Sequence, residues 1–415
     1  MIGGNWRYEN DNGTSSAYRS LHINSARKLM SYKAFPMPED YPDYPSHWQV
    51  AKYFDDYAAR FGLTEKITFR TEVVSVEPVD GAGEANGSGA ADGGWQVTVE
   101  GPDGRRTEGY RAVIVANGHH WKPRGPEPAF PGADAYEGEE MHAHHYREPD
   151  VLEGKRVLVL GIGNSAVDIA VESSRIAEKT FLAMRRSAYV LPKFLGGKPI
   201  DEASPPISTY LPMSVRRFFM NRLLKMSIGE MTDYGLPKPD HKLLEAHPTV
   251  SSELLPRIGH GDIAVKPNID RFVGGRTVRF ADGSEEEIDL TIYCTGYEIS
   301  FVPFLDEKVF ASRDNRMPLY KRAVSVESPG LFFLGFVQPL GPIMPIAEAQ
   351  SEWIADLLTD GAALPPAAEM RKEIAAYERW MDKRFVSSKR HTIEVDFHPY
   401  LREIRKERKR SKQAA

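Results

Sequence analysis

The stretch GIGNSA at 161–166 has the residue types and spacing of a turn that admits a pyrophosphate. A short apolar run, Val157 to Leu160, precedes it, and Val167, Ala170 and Val171 begin a helical pattern after it. Gly161 permits the tight turn, Gly163 lets phosphate approach the backbone, and small Ala166 lets the helix sit close to the strand. The phosphates then face the helix N-terminus, whose unpaired N–H groups and dipole favour an anion. A glycine pattern alone is weak, but flanked by a strand and a helix it reads as a dinucleotide site. The next strand, TFLAM, ends in Arg185 and Arg186, where an NAD site would carry an acid for the ribose 2′-hydroxyl. Two guanidinium groups suit a 2′-phosphate, so the expected coenzyme is NADP(H).

Other elements must position this unit. Residues 46–61 place Val50, Tyr53, Phe54, Tyr57, Ala58 and Phe61 on one helical stripe, with Ser46 as N-cap. Three strand-like runs follow at 66–78, 94–100 and 110–120, expected as a meander. The glycine-rich stretch from 79 to 94 makes a slack connection between the first two. The proline-rich KPRGPEPAFPG at 122–132 is a linker, and a domain edge is expected near residue 150. The basic and apolar stretch at 212–226 is expected to be an amphipathic helix packed on its own domain. The tail from 402 onward is expected to be a solvated, partly frayed helix.

Composition narrows the function classes. The 415 residues, 41% apolar and 27% charged, can bury more than one core. Fifty-three basic against 58 acidic residues leave a net charge of -5, which gives no general reason to expect nucleic acid or an anionic membrane as a partner. One cysteine, Cys294, excludes an intrachain disulfide, a cysteine-based zinc site and a redox-active pair, and fits a cytoplasmic compartment. No charged and apolar leader opens the chain, and no apolar run approaches the ~20 residues that span a bilayer.

Tyr136, Gly138, His142 and Tyr146 match the motif F-x-G-x-x-x-H-x-x-x-[FY] in all but the first residue. With GGNW, SLHINSARK, VANGHHW, IYCTGYEISF, LFFLGFVQP and KRHTIEVDFHPYL in order along the chain, the sequence resembles the flavin-containing monooxygenases over nearly its whole length. The resemblance implies an α/β fold with two Rossmann-like domains, the NADP domain inserted in the FAD domain. The segments expected are 1–150 and 289–415 for FAD and 151–288 for NADP. In the family a first dinucleotide fingerprint precedes the GGxW turn. A strand, glycine turn, helix and second strand of roughly 30 to 40 residues are therefore expected upstream of Met1, and the first βαβ unit is missing from this chain.

The resemblance also implies the chemistry. NADPH reduces FAD, dioxygen gives a C4a-hydroperoxyflavin, and a soft nitrogen or sulfur nucleophile, an amine or sulfide, takes the distal oxygen. The cofactors carry the hard steps while the protein orients them and excludes water. By motif match, Asn5 and Trp6 meet the flavin side. Asn24 faces both flavin and nicotinamide and is the expected catalytic residue, flanked by Ile23 and Ser25. Ser165 and Asp168 line the pyrophosphate turn. His142 is the motif histidine, so the cluster of His119, His120, His142, His144 and His145 is not expected to bind metal. Tyr146, where Baeyer–Villiger relatives carry tryptophan, favours heteroatom oxidation. Baeyer–Villiger ketone oxidation, or a truncated non-catalytic fragment that binds NADP without FAD, stands as the alternative.

Overall fold

Ser46 caps α1 (His47–Arg60) reciprocally: its hydroxyl accepts from the Gln49 N–H, and the Gln49 side chain accepts from the Ser46 N–H. Val50, Tyr53 and Ala58 of its apolar stripe are buried, the first two against Ile23, Met30, Met37 and Met344. This is seen in a computed structural model that describes all residues except 80–93, 204–209, 300–301, 312–314, 360, 386–391 and 412–415, and the side chains of 410 and 411. Most of the expected slack connection lies outside the described residues.

The meander consists of β1 (Glu72–Pro78), β2 (Trp95–Gly101) and β3 (Gly104–Tyr110), all antiparallel. Its third strand is not the expected run at 110–120. Every residue of β3 is exposed, so it carries no apolar alternation to read. The apolar run instead forms β4 (Val113–Val115) in a different sheet.

The central sheet takes β5 (Glu139–His142), β6 (Arg156–Leu160), β7 (Lys179–Met184), β8 (Ile263–Pro267) and β9 (Leu290–Tyr293) in the order β8-β7-β6-β9-β5, all parallel. Between β6 and β7 runs α2 (Asn164–Ser173). Val157, Leu158 and Val159 have no exposed surface, as expected for a parallel strand covered on both faces. The order reverses at β6, and outside the carboxyl ends of β6 and β9 lies the crevice where such folds bind ligands. Both β5 and β9 fall outside 151–288, so the sheet reaches past the expected segment at each end.

A second sheet, ordered β10-β11-β12-β4, is made by β10 (Leu319–Tyr320), β11 (Val324–Ser325), β12 (Leu331–Phe333) and β4. Here β12 runs parallel to β4. On its other edge β4 pairs with no described strand, and Ile114 is 45% exposed. The helix α4 (Met344–Leu358) packs its Ile346, Trp353 and Leu357 into this sheet's core.

Two helices bear on the expectations for their segments. In α3 (Met213–Ile228) Leu224 packs with Leu191 and Leu243, and Met220 and Ile228 are partly buried against them, so the helix does sit on its own domain, but by a narrow face that leaves Phe218 and Phe219 each 63% exposed. After α5 (Ala367–Arg384), the last helix, α6 (Phe397–Ser411), is a docked element rather than a frayed tail. Its Leu401 and Ile404 are buried in the α4 core, and the Arg408 Nε donates to Asp356 at 2.7 Å. Apolar residues one turn apart supplied that face despite the surrounding charges. Among the described residues no helix is long and apolar enough to cross a membrane.

Candidate active site

Gly161 leaves β6 with φ +138°, and a Cβ there would stand 2.9 Å from the Cys294 carbonyl oxygen. Its N–H donates to the Ala183 carbonyl at 2.8 Å, tying the turn to β7. Gly163 is the N-cap of α2 and supplies no side-chain cap, so the first N–H groups of the helix are left open toward the cleft. Ala166 is fully buried against the strand. The turn is held from a distance: Thr249 donates to the Ile162 carbonyl at 2.5 Å, and Asn164 accepts from the Val250 N–H at 2.8 Å.

Ser165 is exposed on this wall. Asp168 also lines the cleft, but its carboxylate accepts a 2.5 Å bond from the Tyr18 hydroxyl. Burial raises its pKa. A carboxylate facing phosphate would be repelled, whereas one held by Tyr18 fastens the N-terminal segment to α2. One turn on, Glu172 accepts from Tyr146 at 2.6 Å and from Ser20 at 3.2 Å.

Arg185 and Arg186 line the same cleft just past β7. They are not equivalent. The Arg186 Nε lies 3.2 Å from Asp240, which also holds His241 at 3.0 Å. Among the described residues Arg185 makes no ion pair, so its five donors are available to a ligand. Arg185→Ala is expected to weaken NADPH binding by about 1.5–3 kcal/mol and leave NADH binding nearly unchanged. Arg186→Ala should have the smaller effect. Calorimetric titration with both coenzymes checks this, and equal losses for the two would place Arg185 away from the 2′-phosphate.

The facing wall comes from the N-terminal segment. A 3-10 turn, Gly4–Trp6, follows Gly3 at φ +104°. Asn5 accepts from the Ser16 N–H at 2.6 Å and hydroxyl at 3.1 Å, closing a loop beside the cleft. Trp6 packs on the core that holds Ile23 and Met344. Ile23 is 1% exposed and donates its N–H to the Pro45 carbonyl. Asn24 and Ser25 continue this wall. The Asn24 side-chain oxygen is buried and has no hydrogen-bond partner among the described residues. A buried amide oxygen left unbonded costs free energy that a ligand donor would recover.

The cleft between the walls has a volume of about 1440 Å³. Single small-molecule sites span about 300–1,000 Å³, so this one has room for two cofactors' reacting ends. Its open helix N-terminus, its unpaired Arg185 and the orphaned Asn24 oxygen fit a phosphorylated dinucleotide on one wall and a ring with amide or imide donors on the other.

The fingerprint residues form the seam below. Tyr136 bonds to the Ile288 carbonyl and the Thr291 hydroxyl, each at 3.1 Å. A Cβ on Gly138 would stand 2.2 Å from the Tyr136 oxygen. His142 accepts from the His144 N–H at 3.0 Å, and burial lowers the pKa of both rings to about 4. The rings of His120, His142 and His144 stand 5.3, 5.7 and 5.7 Å from Tyr297. No group of three or more metal-ligating side chains is found among the described residues. Tyr18, Asp240 and Thr249 were absent from the sequence expectations. Each acts across a long chain separation with no local pattern to mark it.

A parallel sheet and a second, mixed sheet meeting at one cleft, with an anion-receptive turn on the first, fit a nucleotide-dependent oxidoreductase. The flavin-binding monooxygenase-like family matches residues 1–411, and the chain belongs to it. It is 37% identical over 413 residues to flavin-containing monooxygenase 5 of Rattus norvegicus, covering 97% of this chain and 75% of the relative. Identity to dimethylaniline monooxygenase [N-oxide-forming] 2 of the same organism is 33%, with the same coverage. Among solved structures, the S-allyl-L-cysteine S-oxygenase of Allium sativum superposes with a TM-score of 0.70 at 26% identity, covering 99% of this chain and 81% of that one. Cyclohexanone monooxygenase, at 16% identity and a TM-score of 0.67, shares the fold. The chain is thus a monooxygenase of the flavin-containing type, and the cofactors of its family are FAD and NADP(H).

Proposed function

We propose that this chain uses NADPH and dioxygen to oxygenate a soft nitrogen or sulfur centre in a small amine or sulfide. The observation that carries the reading is the orphaned Asn24 oxygen, buried in the cleft that Arg185 and the open α2 terminus also line. FAD, when bound, supplies the reaction with dioxygen after accepting two electrons from NADPH.

The chain's own residues bind, orient and exclude water. The turn at Gly161 and Gly163, with Ser165, takes the NADP pyrophosphate, and Arg185 selects the 2′-phosphate, assisted by Arg186. Asn5 and Trp6 shape the flavin side, where an indole offers a broad apolar face. Ile23 and Ser25 set the position of Asn24, whose oxygen accepts from a carboxamide N–H and whose amide group donates toward the reacting oxygen. Asp168 holds Tyr18, and through it the N-terminal wall, in place. No protein nucleophile is called for, in keeping with Gly163, Ser165 and Val167, which fail the G-x-S-x-G pattern.

Support for heteroatom oxidation comes from Tyr146, fully buried with its hydroxyl on Glu172. The activities for which the 33% relative and the 26% structural neighbour are named, N-oxide formation and S-oxygenation, agree with it. The test is product analysis by mass spectrometry with FAD, NADPH and three substrates: a dialkyl sulfide, a tertiary amine and a cyclic ketone. Sulfoxide and N-oxide are expected. Lactone as the main product would overturn the heteroatom assignment.

A further inference from the structure

Asn24 and Ser25 occupy a bend whose ends are fixed. Before it the Ile23 N–H donates to the Pro45 carbonyl at 3.0 Å, and after it the Arg27 N–H donates to the Asp43 carbonyl at 2.8 Å. Both of those partners belong to the N-terminal segment itself. A third hold does not: the Ala26 N–H donates at 2.7 Å to the carboxylate of Asp201, 175 residues along the chain. Ala26 is 1% exposed, so water does not stand in for that acceptor. A carboxylate accepting from a backbone N–H makes a bond roughly twice as strong as a neutral acceptor would.

Asp201 arrives from the side that receives the nucleotide. Past β7 and the two arginines, Val190–Leu191 pairs in parallel with Thr249–Val250, and Thr249 and Val250 hold Ile162 and Asn164 of the phosphate turn. The chain then turns back on itself, Lys198–Pro199 pairing with Phe194–Leu195, and the Ile200 N–H closes this hairpin on the Lys193 carbonyl at 2.9 Å. The same carbonyl accepts from the Tyr44 hydroxyl, and the Phe194 ring stands edge-on to the Tyr44 ring at 5.3 Å. The hairpin is thereby docked on residues 43–45, and Asp201 is delivered to Ala26. A short hydrogen-bonded route joins the phosphate turn to the bend that carries Asn24. Its last link is a carboxylate kept where ionisation is unfavourable: burial raises the pKa of Asp201, and the Ala26 bond opposes the rise.

We infer that Asp201 is a positioning residue for Asn24, fixing the bend at Ala26 so that the Asn24 side chain meets the reacting centre in one orientation. The inference rests on the role proposed above for Asn24. Asp201 is not among the residues that line the cleft, so its effect on the chemistry passes through the bend. Without its carboxylate the Ala26 N–H is buried and unpaired, and the bend must shift to find it another acceptor. A displacement of about 1 Å at a reacting group costs up to about 100-fold in rate.

The test uses the FAD-loaded full chain with a dialkyl sulfide and reads peroxide against sulfoxide per NADPH oxidised, beside deuterium exchange at the Ala26 amide. Asp201→Ala is expected to raise the peroxide-to-sulfoxide ratio by about tenfold and to speed exchange at Ala26, with NADPH affinity and far-UV circular dichroism as in the parent. Asp201→Asn keeps an oxygen acceptor in place, so its ratio should stay within about twofold of the parent and Ala26 should stay protected. Adding Asp201→Ala to Asn24→Ala should change the ratio no further, because the group to be positioned is already gone. The inference is overturned if Asp201→Ala remains coupled, if Asp201→Asn protects Ala26 yet uncouples as far as Asp201→Ala, or if the double variant multiplies the two single effects. General loss of structure in Asp201→Ala would make the role one of folding and overturn it as well. A parent-like ratio in Asn24→Ala, by contrast, would remove the role of Asn24 and the inference together, whatever Asp201→Ala does.

Discussion

Gly161→Ala is expected to destabilise the fold by on the order of 3 kcal/mol or more and to remove NADPH binding with it. At φ +138° an L side chain is strained whatever the space, and here the new Cβ also meets the Cys294 backbone oxygen at 2.9 Å. Relief would need the turn to swing away from β9 or toward Ala166, whose Cβ is 3.4 Å from the same point. Either movement displaces the N-terminus of α2, the part that receives phosphate. Gly163 is the control. Its backbone is at φ -77° and ψ 175°, which any residue adopts, so Gly163→Ala should keep stability to within about 1 kcal/mol while still hindering the pyrophosphate. Urea unfolding and NADPH titration of both variants separate the two roles. Loss of stability in neither variant would contradict the strain argument, and full NADPH affinity in Gly163→Ala would remove the pyrophosphate from this turn.

The second large effect is catalytic without being structural. Asn24→Ala should leave stability unchanged or slightly raised, because the oxygen removed is buried and has no hydrogen-bond partner among the described residues. Turnover to product should nevertheless fall by about 2–4 kcal/mol of barrier, the loss expected for one preorganised donor at a developing negative charge. NADPH would still be consumed, with its reducing equivalents leaving as hydrogen peroxide. The readout is the ratio of peroxide to oxygenated product per NADPH oxidised. A ratio equal to that of the parent would remove Asn24 from the reacting centre, while a large loss of stability would show that its role is in folding.

The parts legible in the sequence were those whose cause is local. The β6–turn–α2 unit carries its own period change and its own glycines, so it stands out in a single line of residues. Ser46 heads α1 for the same reason. What stayed hidden depends on partners far along the chain. Asp168 reads as a residue of the pyrophosphate turn, but its bond to Tyr18, 150 residues away, has no local mark. Arg185 and Arg186 look alike in sequence, and only the loop that brings Asp240 distinguishes them. The strand β3 was hidden because an edge exposed on both faces needs no apolar alternation. For α3 the apolar content marked a helix on its own domain but not which large apolar side chains face solvent, and the charged α6 hides a narrow apolar face.

The most direct test of the account follows one oxygen atom. With FAD bound, NADPH supplied and dioxygen labelled with heavy oxygen, a dialkyl sulfide should yield sulfoxide carrying one labelled atom per NADPH consumed, and NADH should serve poorly. A protein that oxidises NADPH with flavin bound yet transfers no labelled oxygen to sulfide or amine, or one whose sulfoxide takes its oxygen from water, would contradict the assignment of this cleft.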